Sequence, residues 1–265
     1  MMRTIAHPTD FTREGVAAFE HALALAVAHR AALHLVHVHA PGAEDSFAGF
    51  PHVRDTLQRW GMIGSGAKVE DIERETGVAV RKTEIRDVDA VDGLSRFLAS
   101  HRPDLVVMAT HGRAGIERLL KGSVSTQVAQ EVRVPVLYLG PNAGGCVDEN
   151  GGLRIARVLV PVDHDPPAGP AVRGLRDVLG ALDPELDLLH VGTEPPSVSG
   201  PDGELPVRSI DGDVVGTIAV AAMKADLLAM PTAGRQGLGD ILRGSTTERV
   251  LRDAPCPVLA LPARD

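Results

Sequence analysis

The chain carries one sequence pattern twice, and this repetition limits its fold more than any other feature. In the first half the pattern runs Asp104-Leu-Val-Val-Met-Ala-Thr-His-Gly112-Arg-Ala-Gly-Ile-Glu-Arg-Leu-Leu-Lys-Gly122-Ser123. In the second it runs Asp226-Leu-Leu-Ala-Met-Pro-Thr-Ala-Gly234-Arg-Gln-Gly-Leu-Gly-Asp-Ile-Leu-Arg-Gly244-Ser245. Nine residues separate the two glycines in each copy. A short helical pattern follows both times, from Val124 to Val132 and from Thr246 to Leu251. Then come a proline and an apolar strand, Val134 to Leu139 and Pro255 to Leu261. Self-similarity of this length means two copies of one unit, so any site is expected twice and the copies can be compared.

Within the first copy, strand alternates with helix. Thr4 to Pro8 is a short strand, and Ala17, Ala18, Leu23, Ala24, Val27 and Ala28 recur at helical spacing. Residues 32–39 form a second strand, 41–51 a loop, and 53–76 a helix that stops at Gly77. Strands over 78–85, 105–109 and 134–139 alternate with helices over 91–100 and from Gly122 onward. Short apolar strands joined by helices predict a parallel sheet covered on both faces, a doubly wound α/β unit. The Gly- and Asn-rich stretch 142–154 reads as a linker between a domain over 1–141 and a second over 155–265. The second copy restarts with a strand from Ile155 to Pro161, a helix over 168–181 and a strand over 186–191, where His190 answers His37. It is 31 residues shorter between Asp163 and Gly234 than the first is between Asp10 and Gly112. The deficit falls on the second helix. Its place is taken by a Pro- and Gly-loaded stretch, 192–203, that cannot be helical and reads as a loop.

Composition narrows the function. A net charge of −8 argues against a nucleic-acid or membrane-surface protein, which needs a basic face. No apolar run reaches the roughly 18 residues of a spanning helix, and the first residues run into a strand with no signal-peptide pattern. Cys146 and Cys256 do not form a disulfide framework, which fits a reducing, cytoplasmic setting. His37 and His39 share a strand face, but no Cys or carboxylate stands at ligand spacing, so no metal is expected.

In a doubly wound sheet, ligands sit outside the carboxyl ends of the strands near the switch in strand order. Asp10 closes the first strand, Val38 the second, and the loop from Ala109 to Ser123 leaves the fourth. Gly112 permits close backbone approach. Gly122, Ser123 and Ser125 open a helix whose unpaired N–H groups and dipole suit a phosphate. A carboxylate at one strand end and a phosphate cradle at the next is what a nucleotide needs. Singly, each piece has a plainer reading: Ser123 as an N-cap, Gly112 as a turn, Asp10 as a cap for a helix near Thr12. Lys121 and Arg113 could reach phosphates or be solvated surface charge. There is no Gly-Lys-Ser/Thr loop for fast triphosphate hydrolysis and no Gly-x-Ser-x-Gly elbow that would make Ser123 a nucleophile.

With these residues in view, the chain resembles a tandem universal stress protein over nearly its whole length. Ile5-Ala-His-Pro-Thr-Asp10, Leu35-Val-His-Val38, Asp104 to Gly112 and Gly122-Ser-Val-Ser125 carry the resemblance. In the second copy Val158 to Asp163, Leu188-Leu-His-Val191 and Gly244 to Leu259 carry it. The resemblance implies a five-stranded parallel sheet between helices in each domain, the two packed as a pseudo-dimer through their last strands; a homodimer is a further form. It also implies ATP, with or without Mg2+, as ligand. Asp10 and Val38 would hold base and ribose, Met108, Ala109 and Gly112 would line the nucleoside and phosphate side, and Gly122, Ser123 and Ser125 would bind phosphates. In the second copy Asp163, Val191, Gly234, Gly244, Ser245 and Thr247 are the counterparts. The first glycine of the family motif is Ala109 here and Pro231 in the second copy, where proline removes an N–H, so the first copy is expected to hold the fuller site. Three readings follow: a nucleotide-binding stress-response protein with at most slow hydrolysis, an interaction scaffold with vestigial sites, or an adenylating enzyme of the adenine-nucleotide hydrolase class.

Overall fold

Apolar runs that do not alternate become strands buried on both faces. In the computed structural model, which describes residues 2–12, 15–39, 42, 47–109, 134–140, 142–200, 203–232, 250 and 254–262, the first half contributes β1 (Thr4–Pro8), β2 (Ala32–His39), β3 (Val80–Arg86), β4 (Leu105–Ala109) and β5 (Val136–Leu139). The second contributes β6 (Arg157–Pro161), β7 (Glu185–Val191), β8 (Val198–Gly200), β9 (Gly203–Leu205), β10 (Val207–Ile210), β11 (Leu227–Thr232) and β12 (Val258–Pro262). The helices are α1 (Gly15–His29), α2 (Val53–Arg59), α3 (Val69–Thr76), α4 (Ala90–His101), α5 (Gly169–Leu179) and α6 (Val214–Ala222).

Ten strands form one sheet in the order β10-β7-β6-β11-β12-β5-β4-β1-β2-β3. Each half thus repeats one order, with its first strand between its second and fourth. Within this ten-stranded sheet, every pairing inside a half is parallel. The halves meet where β5 and β12 pair antiparallel, with Leu137 opposite Leu259. The last strands expected to meet do so, and neither leaves an open edge there.

Two apolar layers cover the sheet. On one face Ile5, Leu33, Leu35 and Leu105 are wholly buried under α1; each such side chain contributes about 1.5–3 kcal/mol. On the other, Leu94, Phe97 and Leu98 of α4 pack over Ala6, Val36 and Val106. Helix α1 buries residues around most of its circumference, Ala18, Phe19, His21, Ala22, Leu23, Ala24, Leu25, Ala26 and His29 among them. A helix apolar all round needs cover on both sides. The second half supplies part of it: His29 Nε2 donates to the Val178 carbonyl of α5 at 2.8 Å.

Two expectations need correction. The single helix over 53–76 is two, because Trp60 to Lys68 is not helical. Gly61, Gly64, Ser65 and Gly66 make this the weakest helical stretch of the segment. Gly77 ends α3 as expected, in the left-handed region at φ 76 with its N–H on the Glu73 carbonyl. The plain loop expected after β7 contains a hairpin, β8 with β9, which tucks Val198 into the core; β10 then pairs with β7 as the outer strand.

The 142–154 connection is a built element. Asp148 accepts from Asn150 N, Gly152 N and Arg154 Nε at 2.8–2.9 Å. Cys146 N donates to His21 Nε2 at 3.0 Å. Gly151, at φ 77, lies against the Trp60 ring so closely that any Cβ would collide. The break in the long helix thus delivers Trp60 to the connection.

Candidate functional site

The strand order reverses between β1 and β4, and four of the expected residues lie at the strand ends there. Asp10 follows β1, Val38 stands one residue before the end of β2, and Met108 and Ala109 close β4. Strands β2 and β4 flank β1 on either side, so all four residues lie on one edge of the sheet. Gly112, Gly122, Ser123 and Ser125 lie outside the described residues, as do His111, Arg113, Lys121, Gly234, Gly244, Ser245 and Thr247.

Asp10 is half-buried, and its Oδ1 accepts from Thr12 N at 3.1 Å and from Thr12 Oγ1 at 2.6 Å. These bonds close a turn between β1 and α1, which begins at Gly15. The chain before it is braced twice. Thr9 N donates to the Val36 carbonyl, and His37 Nδ1 donates to the Thr9 carbonyl, both at 2.8 Å. Val38 packs towards α4, where a Cβ at Gly93 would come within 2.8 Å of it.

Sequence reasoning passed over two features of this edge. Phe11, at φ 62, stacks on His37 with ring centres 3.9 Å apart and meets Phe50 edge-on at 5.1 Å. Lys82 Nζ stands 5.6 Å from the Phe50 ring. In a chain with 3% aromatic residues, a Phe directly after the strand-end Asp was the available signal. The second feature is His7. It is wholly buried, its Nδ1 donates to the Val107 carbonyl at 2.9 Å, and its Nε2 has no hydrogen-bond partner. Burial pulls its pKa down to about 4 against the opposing pull of the Val107 carbonyl and the Asp10 charge, so the ring is neutral near pH 7.

The second half holds a looser version of this edge. Asp163 follows β6 with its side chain 70% exposed, and its Oδ1 accepts from His164 N at 2.8 Å. His190 Nδ1 donates to the Val162 carbonyl at 3.1 Å, as His37 does to Thr9. Val191 closes β7. Pro231 lies within β11, opposite Leu261. Val160 stands where the first half has His7.

Among the described residues no three His, Cys, Asp or Glu side chains converge in a way that could hold a metal ion. His34 packs beside Phe97 and His101. Cys146 and Cys256 are buried, and burial pushes both thiols up to about 12. They are protonated at neutral pH and poor nucleophiles. No described helix is long and apolar enough to cross a membrane.

Known proteins match this architecture. A universal stress protein of Methanocaldococcus jannaschii is 28% identical over 145 residues, covering 52% of this chain and 82% of its own. The solved structure of a universal stress protein from Archaeoglobus fulgidus superposes with a TM-score of 0.63 at 19% identity, covering 99% of this chain and 97% of its own. A protein of unknown function from Pseudomonas aeruginosa PAO1 superposes with a TM-score of 0.61 at 17% identity, over 99% and 93% of the two chains. These structural likenesses concern the fold. The sequence profile of the universal stress protein family matches residues 1–139 and 199–262, well over half the chain, and so the chain belongs to the universal stress protein family.

Proposed function

We propose that the first half of the chain binds an adenine nucleotide, ATP with or without Mg2+, and that the protein acts in the cytoplasmic stress response as a nucleotide sensor with at most slow hydrolysis. The observation that carries this reading is the convergence of Asp10, Val38, Met108 and Ala109 at the β1–β4 switch, with the Gly112 to Ser123 sequence running on directly from Ala109. The carboxyl ends of parallel strands at a switch in strand order, followed in sequence by a Gly-Ser pair of the kind that opens helices, suit a nucleoside on one side and phosphates on the other. Asp10 would accept from ribose hydroxyls or a base amine, Gly112 would admit the ligand close to the backbone, and Gly122, Ser123 and Ser125 would receive the phosphates. Two domains, 1–141 and 155–265, joined by 142–154, would form an internal pseudo-dimer; a homodimer would be a further assembly.

A scaffold role is the second reading for the second half, favoured by Pro231 inside β11 and by the exposure of Asp163. Mass spectrometry of whatever leaves the purified protein on denaturation tests the first reading. Release of adenine nucleotide is expected. A protein that carries none, and that shows no calorimetric response to added ATP, would leave the scaffold reading standing. Steady nucleotide turnover would instead favour the adenylating-enzyme reading.

A further inference from the structure

The ladder between β1 and β4 stops early. It ends at Ala6 opposite Val106, whereas β1 stays paired with β2 as far as Pro8 opposite Val36 and β4 with β5 as far as Ala109 opposite Leu139. Parallel register would next bring the amide of residue 8 to the Val107 carbonyl. Residue 8 is proline and has no N–H. The His7 imidazole supplies the missing donor, Nδ1 to the Val107 carbonyl at 2.9 Å.

We infer that His7 is a positioning residue for the nucleotide: it closes the β1–β4 ladder in place of the Pro8 amide and so sets the gap between Asp10, just beyond the end of β1, and Met108-Ala109 at the end of β4. This rests on the nucleotide reading above. The second half argues for it. There the ladder also stops, at Leu159 opposite Leu228, and Pro161 also lacks the N–H. Val160, in the place of His7, has no donor to offer. That half folds to the same strand order without the brace, so folding alone does not require a histidine here. His7 is also an expensive residue to keep in a core, since its Nε2 is buried without a partner. A stability cost retained beside a site marks function.

The test exchanges His7 for the second half's own residue, His7→Val, and for an amide that can place an N–H where Nδ1 stands, His7→Asn. ATP affinity is measured by calorimetry and stability by melting without ligand. His7→Val is expected to weaken ATP binding about tenfold, the worth of one hydrogen bond that places the ligand groups, while the ligand-free melting temperature holds or rises. His7→Asn is expected to recover most of the affinity. Wild-type affinity in His7→Val overturns the inference. So does a joint fall in affinity and ligand-free stability that His7→Asn does not rescue, which would make the residue merely structural. A wild-type protein that does not bind ATP at all overturns the nucleotide reading itself, an outcome visible before any variant is made.

Discussion

The two halves share a strand order and part company at the edge where that order reverses. In the first, Asp10 is half-buried and tied into a turn by Thr12, Phe11 follows it and packs on Phe50, and His7 braces β1 to β4. In the second, Asp163 is 70% exposed, a hairpin replaces the helices that follow β2, and valine stands in for the brace. What the halves have in common sorts the remaining features. His37 and His190 each donate to the carbonyl just before the strand-end aspartate, so that bond belongs to the fold. The features confined to the first half are those on which the proposed nucleotide site rests.

The sharpest way to break this comparison is at the paired glycines. Gly122→Val should abolish ATP binding, because a β-branched side chain would block approach to the phosphates, whereas Gly244→Val should change it little. Calorimetry on both variants decides; equal losses would make the halves equivalent. Next in size is acid stability. The unfolded chain protonates its histidines near pH 6.5, but folded His7 resists until about 4. Protonation of this group in the unfolded chain therefore costs folding nothing above pH 6.5 and roughly 3 kcal/mol once pH has fallen through 4. His21 acts in the same sense, since burial lowers its pKa and its Nε2 must stay unprotonated to accept from Cys146 N. Denaturant titrations at pH 7.5 and 4.5 should show this loss in the wild type and a smaller one in His7→Val. An equal loss in both would place the acid sensitivity elsewhere.

Smaller effects refine the contrast. Asp10→Ala should weaken ATP binding by about 1–3 kcal/mol and reduce the ATP-induced rise in melting temperature; Asp163→Ala should leave both unchanged. If Asp10 serves only its turn, the ligand-free protein loses about 1 kcal/mol and the ATP-induced shift survives intact. The smallest expected effect is at Asp213, whose carboxylate caps α6 by accepting from Gly216 N at 2.7 Å. Asp213→Ala should remove about 1 kcal/mol of stability and leave ATP affinity alone. A fall in affinity would mean that the second half supports the first half's site.

Much of this was legible in the sequence because the repeat calibrates itself: strands that recur in order at matching spacing can be placed without knowing their partners. Two apolar last strands each needed cover, and the family resemblance implied that they cover one another; the antiparallel sense of the β5–β12 pairing is seen only in the structure. The sequence suggests one helix over 53–76 because Val53, Leu57, Ile72 and their neighbours keep a helical period on both sides of the break. Only the cluster Gly61, Gly64 and Gly66 speaks against continuity. The hairpin of β8 and β9 was hidden for the opposite reason: Pro195, Pro196 and Gly200 exclude a helix without saying what replaces it. The place of His7 is not legible in the sequence, because it depends on a neighbour's missing N–H and on a carbonyl 100 residues away, a relation no local pattern encodes.

The seam between β5 and β12 has a consequence for how the chain is made. During synthesis the first half can complete β1 to β5, but the strand that covers the outer edge of β5 starts only at Val258. More than a hundred residues must still emerge. At about 5–20 residues per second, the nascent first half carries a bare apolar edge, Val136-Leu-Tyr-Leu139, for on the order of ten seconds. In that interval nascent chains on one message are each other's nearest strand donors. Slowing translation after residue 139 should therefore raise the fraction of aggregated product, and supplying the second half in trans should lower it.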